Sequence, residues 1–321
     1  MKICVVGCGR WGSLITWYLS EKKGPDVTLY GRKGSERAER FLKERRNDLL
    51  VLPKDVKVTT ELSDLNDAEV IIVSINSQGL SAFMNEITYL NLKNKIFVLC
   101  MKGIEISTGR RLTQVVCDSV DVSNKVAVWL GPGHVQEFYA GIPNCMVIDS
   151  EDAPTKKILI EAFSSELIRF YYGEDLLGNE IGAAAKNVIG IAAGMLDGKG
   201  LSTLKGALMS RGTREVARLI LRMGGNEISA YGLCHLGDYE ATVFSKFSHN
   251  RAYGEKFVKG EKFEELAEGY YTAKALKELS IKYDVDMPIC DCVYKILYEG
   301  EDPDAALGAL FHRSVKNEFY R

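Results

Sequence analysis

Lys186 stands as the single cation in an apolar run of small residues, Glu180-Ile181-Gly182-Ala183-Ala184-Ala185-Lys186-Asn187-Val188-Ile189-Gly190-Ile191-Ala192-Ala193-Gly194. Burial lowers a lysine's pKa and a second cation nearby lowers it further, so such a residue can exchange protons near neutral pH. Lys102 is a candidate for that second cation. It belongs to Met101-Lys102-Gly103-Ile104-Glu105, directly after a predicted strand and so at the carboxyl edge where ligands bind in open α/β sheets. A lone helical lysine is more often solvent-facing, so this spacing by itself does not decide the matter. The run from 180 to 194 is so rich in small residues that another backbone or a ligand must lie close to it. A third stretch, Gly131-Pro132-Gly133-His134-Val135-Gln136-Glu137, also follows a predicted strand and offers backbone amides at a helix start.

The amino terminus carries a different chemistry. Lys2 to Val6 is a β-branched run leading straight into Gly7-Cys8-Gly9-Arg10-Trp11-Gly12 and then a helix-like segment from Ser13 to Lys22. In that strand-turn-helix context G-x-G-x-x-G is a dinucleotide-binding signature. Gly7 allows the tight turn, Gly9 admits a pyrophosphate close to the backbone, and Gly12 lets the helix pack on the strand with its amides facing the phosphates. A second strand, Asp26 to Tyr30, follows at βαβ distance and ends at Gly31-Arg32-Lys33, about 20 residues past the motif. An NAD-selective site usually has an acidic residue there, whereas arginine can pair with the 2′-phosphate of NADP. The prediction is that NADP or NAD serves, with NADP slightly favoured; two surface cations without a ligand is the alternative.

These groups need a scaffold, and the hydrophobic pattern supplies one. Strand candidates at Ile3–Val6, Val27–Tyr30, Val70–Ile75, Ile96–Cys100, Val126–Leu130 and Cys145–Ile148 alternate with helix-period segments, as in a parallel, doubly wound sheet. From about residue 175 long helix-period segments take over, at 176–196, 203–222, 271–283 and 287–298. The expected architecture is α/β: a Rossmann domain over 1–176 and an all-helical substrate-binding and catalytic domain over 177–321. With 321 residues, 46% hydrophobic and 26% charged, the chain has the composition of an ordinary globular protein. Its 41 Lys+Arg against 43 Asp+Glu give no global field directed at nucleic acid or an anionic membrane. No apolar run approaches the roughly 18 residues of a membrane span and no signal-peptide pattern opens the chain, so a cytoplasmic protein without membrane insertion is expected. Of the eight cysteines, Cys4, Cys8, Cys100, Cys117, Cys145 and Cys234 read as small core residues in a reducing compartment, and the close pair Cys290-Asp291-Cys292 lacks the partners of a zinc site, so no metal is expected. The long 203–222 segment could form a homodimer face, although an apolar stripe is more often simply core.

Taken together the segments resemble the bacterial NAD(P)-dependent glycerol-3-phosphate dehydrogenase family over essentially the whole chain. The matching pieces are the glycine motif with Trp11, Tyr30-Gly31-Arg32, Lys102-Gly-Ile-Glu105, Gly131-Pro132 with Glu137, Lys186-Asn187-Val-Ile189, Ser210-Arg211-Gly212, Leu236-Gly237-Asp238 with Thr242, Asn250-Arg251 and Glu268-Gly269. The resemblance implies reversible oxidation of sn-glycerol 3-phosphate to dihydroxyacetone phosphate, run toward glycerol 3-phosphate to supply phospholipid synthesis. It implies Lys186 as the proton acceptor for the C2 hydroxyl, with Lys102, Asp238 and Asn187 at the reacting centre. It further implies Thr242, Ser248, His249, Asn250 and Gly131 on a small phosphorylated substrate, and Gly7, Gly9, Arg10, Trp11, Gly12, Arg32, Lys33, Lys102, Val135, His249 and Glu268 on the cofactor. Asp238 could orient Lys186 by a hydrogen bond while its charge opposes the pKa depression.

Three positions depart from the family pattern. Ser248-His249-Asn250-Arg251 replaces Ser-Arg-Asn-Arg, and a histidine has no bidentate fork for a phosphate. Losing one charged hydrogen bond costs about 1.5 to 3 kcal/mol, roughly ten- to a hundredfold in affinity, unless Arg251 or Lys102 compensates. Gly133 stands where the family usually has Ser or Thr, and Ser202-Thr203-Leu204 replaces an Asn-containing turn. Two other readings therefore stay open: a sibling lysine-dependent dehydrogenase acting on another small hydroxy compound, and a non-catalytic dinucleotide-binding sensor. His134 is expected to pack in a loop beside the cofactor, and His235 and His312 to be ordinary helix-surface or core residues.

Overall fold

Runs such as Ile3-Cys4-Val5-Val6 and Val70-Ile71-Ile72-Val73 are buried along their whole length, which suits the interior of a sheet with helices on both faces. The computed structural model describes residues 1–23, 26–315 and 317–318. Its first unit, residues 1–101 with 110–176, runs β1 (Ile3–Val6), α1 (Arg10–Lys23), β2 (Val27–Tyr30), α2 (Glu36–Glu44), β3 (Lys57–Thr59), β4 (Val70–Val73), α3 (Leu80–Ile87), β5 (Ile96–Leu99), α4 (Leu112–Cys117), β6 (Lys125–Leu130), α5 (Val135–Tyr139), β7 (Asn144–Asp149), α6 (Ala153–Phe163) and β8 (Ile168–Tyr172). Among the described residues these strands form one sheet in the order β3-β2-β1-β4-β5-β6-β7-β8. Ile3 of β1 pairs in parallel with Val27 on one side and Val70 on the other, so the strand order reverses beside β1. A crevice for ligands opens at such a switch point, and the glycine turn after β1 lies at that edge.

The wholly parallel sheet expected from the sequence needs one correction. β7 runs antiparallel to β6, with Val128 opposite Asp149, and β8 runs parallel to β7. The connection from β6 to β7 contains only the five-residue helix α5, which turns the chain back instead of carrying it across a face. The two edge strands carry no sequence signal of their own. β3 has three residues beginning with a lysine, and β8 exposes Arg169, Tyr171 and Tyr172, so neither offers a continuous apolar run. The cysteines also divide: Cys4, Cys8, Cys100, Cys234, Cys290 and Cys292 are buried, but Cys117 is exposed and Cys145 half-buried.

The second unit comprises residues 102–109 and 177–321. Its helices are α7 (Leu176–Gly198), α8 (Lys205–Arg222), α9 (His249–Val258), α10 (Glu268–Lys282), α11 (Pro288–Tyr294) and α12 (Pro303–Phe311). At α7 the two readings of the small-residue run resolve in favour of another backbone. A Cβ at Gly194 would collide with the Arg251 carbonyl, one at Gly254 with the Ile191 carbonyl, and one at Gly269 would lie 2.6 Å from the Asn187 carbonyl oxygen. Helix α9 and the start of α10 therefore approach α7 closely, and the glycines on both sides leave room for that contact. Helix α7 itself is buried over most of its length, with Ile181, Val188, Ile189, Ala193 and Met195 fully buried and Glu180, Lys186 and Asn187 enclosed among them.

Glu215 on α8 is buried and accepts the amides of Ile289 and Cys290, both at 2.9 Å, at the start of α11. Burial pushes its pKa up to about 7 from 4.5, outweighing the hydrogen bonds that favour the anion. With the folded value raised, the stability linked to this group is fully present below the unfolded value and is lost as pH rises toward 7, a change of about 3 kcal/mol. Thermal melts should accordingly show the wild type losing stability between about pH 5 and about pH 8. Glu215→Gln, lower overall because its amide faces a backbone donor, should show a flatter dependence across that range.

Candidate active site

In the first unit the cradle begins with Gly7, whose φ of +120° and whose contact with the Ser74 carbonyl leave no room for a Cβ. Gly12 sits directly on the Gly7 carbonyl, whereas a Cβ at Gly9 would meet nothing within 4 Å. Open space at Gly9, next to the first-turn amides of α1, is what an anionic pyrophosphate requires, so these residues fit a dinucleotide. The Ser13 amide and hydroxyl both donate to the Gly9 carbonyl, at 3.0 and 2.9 Å, and hold the turn in place. Arg10 donates to Gln136 at 3.3 Å, and Trp11 meets Phe138 edge-on with centroids 5.9 Å apart. Past β2, Gly31 is wedged against Ala38 and the Cys8 sulfur, and Arg32 and Lys33 are exposed. Val135 is buried at the start of α5, and Gly131 packs with φ +135° against Met146.

The second unit gathers Lys102, Lys186, Asp238 and Thr242. Lys102 Nζ lies 2.6 Å and Lys186 Nζ 3.0 Å from the same oxygen, Asp238 Oδ2. Lys186 Nζ also donates to Thr242 Oγ1 at 2.8 Å. Asp238 is 1% exposed and sits in a short 3-10 turn, Leu236–Asp238; Thr242 follows in the π-helical turn Glu240–Phe244. Burial lowers the Lys186 pKa to about 8; Asp238 opposes this and the Lys102 charge adds to it. Desolvation thus outweighs the carboxylate at Lys186. Asp238 Oδ1 is buried with no hydrogen-bond partner among the described residues.

Behind these groups runs a chain of side-chain amides. Asn187 donates to the Lys102 carbonyl at 2.9 Å and accepts from Asn250 at 3.0 Å, and Asn250 in turn accepts the Gly269 amide at 2.8 Å. Asn187 and Asn250 thus orient the lysines' backbone supports. Ser248 is the N-cap of α9, its hydroxyl accepting from the Arg251 amide at 3.3 Å, and Glu268 begins α10 half-buried. His249 places Nε2 2.7 Å from Glu265 and Nδ1 3.3 Å from the Leu266 carbonyl. Arg251 is engaged by Asp197 at 2.7 Å and Glu255 at 3.5 Å. The sequence reading missed Asp197, which also takes Lys205 at 2.6 Å. An acidic residue closing an otherwise apolar helix was the available signal. Among the described residues no cluster of three His, Cys, Asp or Glu could hold a metal, and no helix is long and apolar enough to cross a membrane.

Comparison with known proteins gives a consistent picture. Residues 2–156 match the family model for the NAD-dependent glycerol-3-phosphate dehydrogenase N-terminus, and residues 175–308 match that for its C-terminus. The chain is 34% identical over 333 residues to the glycerol-3-phosphate dehydrogenase (NAD(P)+) of Pelodictyon phaeoclathratiforme, covering 99% of both chains. It is 32% identical over 332 residues to the enzyme of that name from a Thermoanaerobacter species, covering 100% of this chain and 99% of that one. Among solved structures it is similar to glycerol-3-phosphate dehydrogenase from Coxiella burnetii, with TM-score 0.90 and 27% identity over 97% of this chain and 99% of that one.

The departure at Gly133 has a local cause. Its φ is +136°, and a Cβ there would collide with the Phe138 ring, the same ring that meets Trp11. Gly133→Ser should cost about 1 to 3 kcal/mol in thermal stability, through overpacking together with backbone strain. Gly133→Ser combined with Phe138→Val should recover part of that loss, as read by parallel melts.

Proposed function

The chain belongs to the NAD-dependent glycerol-3-phosphate dehydrogenase family, and we propose that it interconverts sn-glycerol 3-phosphate and dihydroxyacetone phosphate with NAD(P). In this reading residues 1–176 bind the dinucleotide, residues 177–321 carry the substrate and proton chemistry, and the product feeds phospholipid synthesis. The observation that carries it is the buried Lys186, held against Asp238 with its pKa lowered to about 8. The bound nicotinamide supplies the hydride chemistry. The chain's own part is to hold the substrate and move one proton. In the oxidative direction neutral Lys186 Nζ takes the C2 hydroxyl proton, and in the reductive direction the ammonium returns it to the ketone oxygen. The Lys102 ammonium stabilises negative charge developing on that oxygen, and Asp238 Oδ1 accepts from a substrate hydroxyl. Thr242 keeps Lys186 aimed, and Asn187 and Asn250 fix Lys102 and the start of α10. Gly131, Ser248 and His249 border the substrate; Gly7, Gly9, Arg10, Trp11, Gly12, Val135, His249 and Glu268 serve the cofactor, with Arg32 and Lys33 toward an adenosine 2′-phosphate.

One observation favours the sibling-enzyme reading. His249 places its ring nitrogens beside Glu265 and the Leu266 carbonyl, and Arg251 is engaged by Asp197 and Glu255, so the side chains nearest the altered motif already hold partners. Phosphate affinity would then be weaker and the natural substrate a less charged hydroxy compound.

Purified protein should oxidise NADPH and NADH when given dihydroxyacetone phosphate, followed by the loss of reduced-cofactor absorbance. Absence of oxidation while both cofactors bind would transfer the assignment to the sibling reading. Lys186→Ala should lower kcat by about a hundredfold to ten-thousandfold with cofactor binding retained. The reductive rate should fall, and the oxidative rate rise, as pH passes through about 8. For cofactor choice, Arg32→Asp should raise KM for NADPH about ten- to a hundredfold and leave KM for NADH little changed. His249→Arg should lower KM for dihydroxyacetone phosphate by about tenfold, through one added charged hydrogen bond.

A further inference from the structure

His235 and Tyr239 are fully buried and lie one helical turn apart in the segment that carries Asp238. His235 Nδ1 is 2.8 Å from the Gly182 carbonyl oxygen. A carbonyl can only accept, so Nδ1 carries the proton and donates. Burial holds the His235 pKa down to about 4, which leaves the ring neutral and Nε2 an acceptor for the Tyr239 hydroxyl at 2.7 Å. Gly182 stands four residues before Lys186 on α7, so its carbonyl is the one the helix pairs with the Lys186 amide. A Cβ at position 182 would come within 3.0 Å of the His235 Cβ, and glycine is what lets the histidine approach so closely. On the other side, the His235 carbonyl accepts the Asp238 amide at 3.0 Å.

We propose that His235, braced by Tyr239, is a positioning residue of the proton-transfer site: it ties the turn of α7 that carries Lys186 to the segment that carries Asp238, and so sets their separation. This rests on the reading of Lys186 as the proton-transfer group. The titratable groups acting on Lys186 are Asp238 and Lys102, and the Lys186 charge in turn helps to keep the buried His235 ring neutral. Without the histidine tie the 232–238 segment is free to follow the more exposed Lys102 ammonium. Lys186 would then lose its counter-charge while keeping its burial, and its neutral form would gain.

The first measurement is the ¹⁵N spectrum of His235 in the intact protein, where a neutral ring protonated at Nδ1 is expected. A ring protonated at Nε2, or one titrating near the ordinary value of about 6.5, overturns the proposal. The second is the pH titration of the Lys186 ¹³Cε resonance, assigned with Lys186→Arg and recorded without substrate. In His235→Ala it should move down by about one pH unit, and kcat should fall about ten- to a hundredfold with KM for the cofactor unchanged. His235→Asn, whose amide can donate to Gly182, should restore most of both. An unchanged or raised Lys186 titration in folded His235→Ala overturns the proposal. Tyr239→Phe takes only the hydroxyl and should shift the titration less but in the same direction. It decides the matter if the alanine variant does not fold, an unmoved titration again being the overturning result. Because the ¹³C titration needs no turnover, full activity in Lys186→Ala would remove the functional reading while leaving this test of geometry intact.

Discussion

A single carboxylate oxygen, Asp238 Oδ2, receives two ammonium groups in the interior of the second unit, Lys102 at 2.6 Å and Lys186 at 3.0 Å. Both lysines charged against one carboxylate would leave a surplus positive charge where little water reaches. The penalty for such a charge is large at low dielectric. Release of one proton leaves a balanced pair and a neutral amine, and the more buried lysine is the one that releases it. Lys102 keeps 20% of its side chain exposed against 10% for Lys186, so burial weighs more heavily on the Lys186 charge. In the proposed mechanism that asymmetry of burial, more than the identity of either residue, separates the proton carrier from its electrostatic partner.

The asymmetry depends on how tightly the backbones approach. Lys186 is enclosed because α7 is lined with glycine and alanine, so that α9 presses against it at Gly190, Gly194 and Gly198 and the start of α10 against the Asn187 carbonyl. At Gly190 an added Cβ would lie 2.7 Å from the Thr242 methyl. A larger residue there would push away the threonine that accepts from Lys186. The amide chain from Lys102 through Asn187 and Asn250 to Gly269 uses the same closeness. Packing and electrostatics are one design here: the close helix contact supplies both the desolvation and the hydrogen-bond partners.

What the sequence made legible was what is encoded locally. The glycine turn could be read because strand, turn and helix follow one another within a dozen or so residues, and the βαβ distance to β2 fixed its context. Lys186 stood out because a charge in an apolar small-residue run has few explanations. Contacts between distant segments were not legible. Arg251 looks like a ready phosphate ligand in its motif, yet it meets Asp197, 54 residues earlier, through helix packing that no local pattern specifies. The antiparallel β7 likewise depends on the path of one short connection, and β8 hides because an edge strand alternates buried and exposed residues. His235 reads from sequence as an ordinary helix-surface or core residue for the same reason, its partners Gly182 and Tyr239 being brought to it by the fold.

The same charge arithmetic joins substrate binding to proton transfer. An anionic substrate beside the two lysines would compensate the surplus positive charge that exists only when Lys186 is protonated. Binding and protonation are therefore linked, and by reciprocity the anion strengthens the hold on the proton as much as the proton strengthens the hold on the anion. For reduction this linkage has the useful sign, because the ketone would arrive at a lysine already charged and able to donate. Once the proton has gone to the alkoxide, the neutral amine leaves Lys102 and Asp238 balanced and the attraction for the anion weaker. In the proposed mechanism a carboxylate shared by two unequal lysines would thus favour substrate entry in one protonation state and product departure in the other.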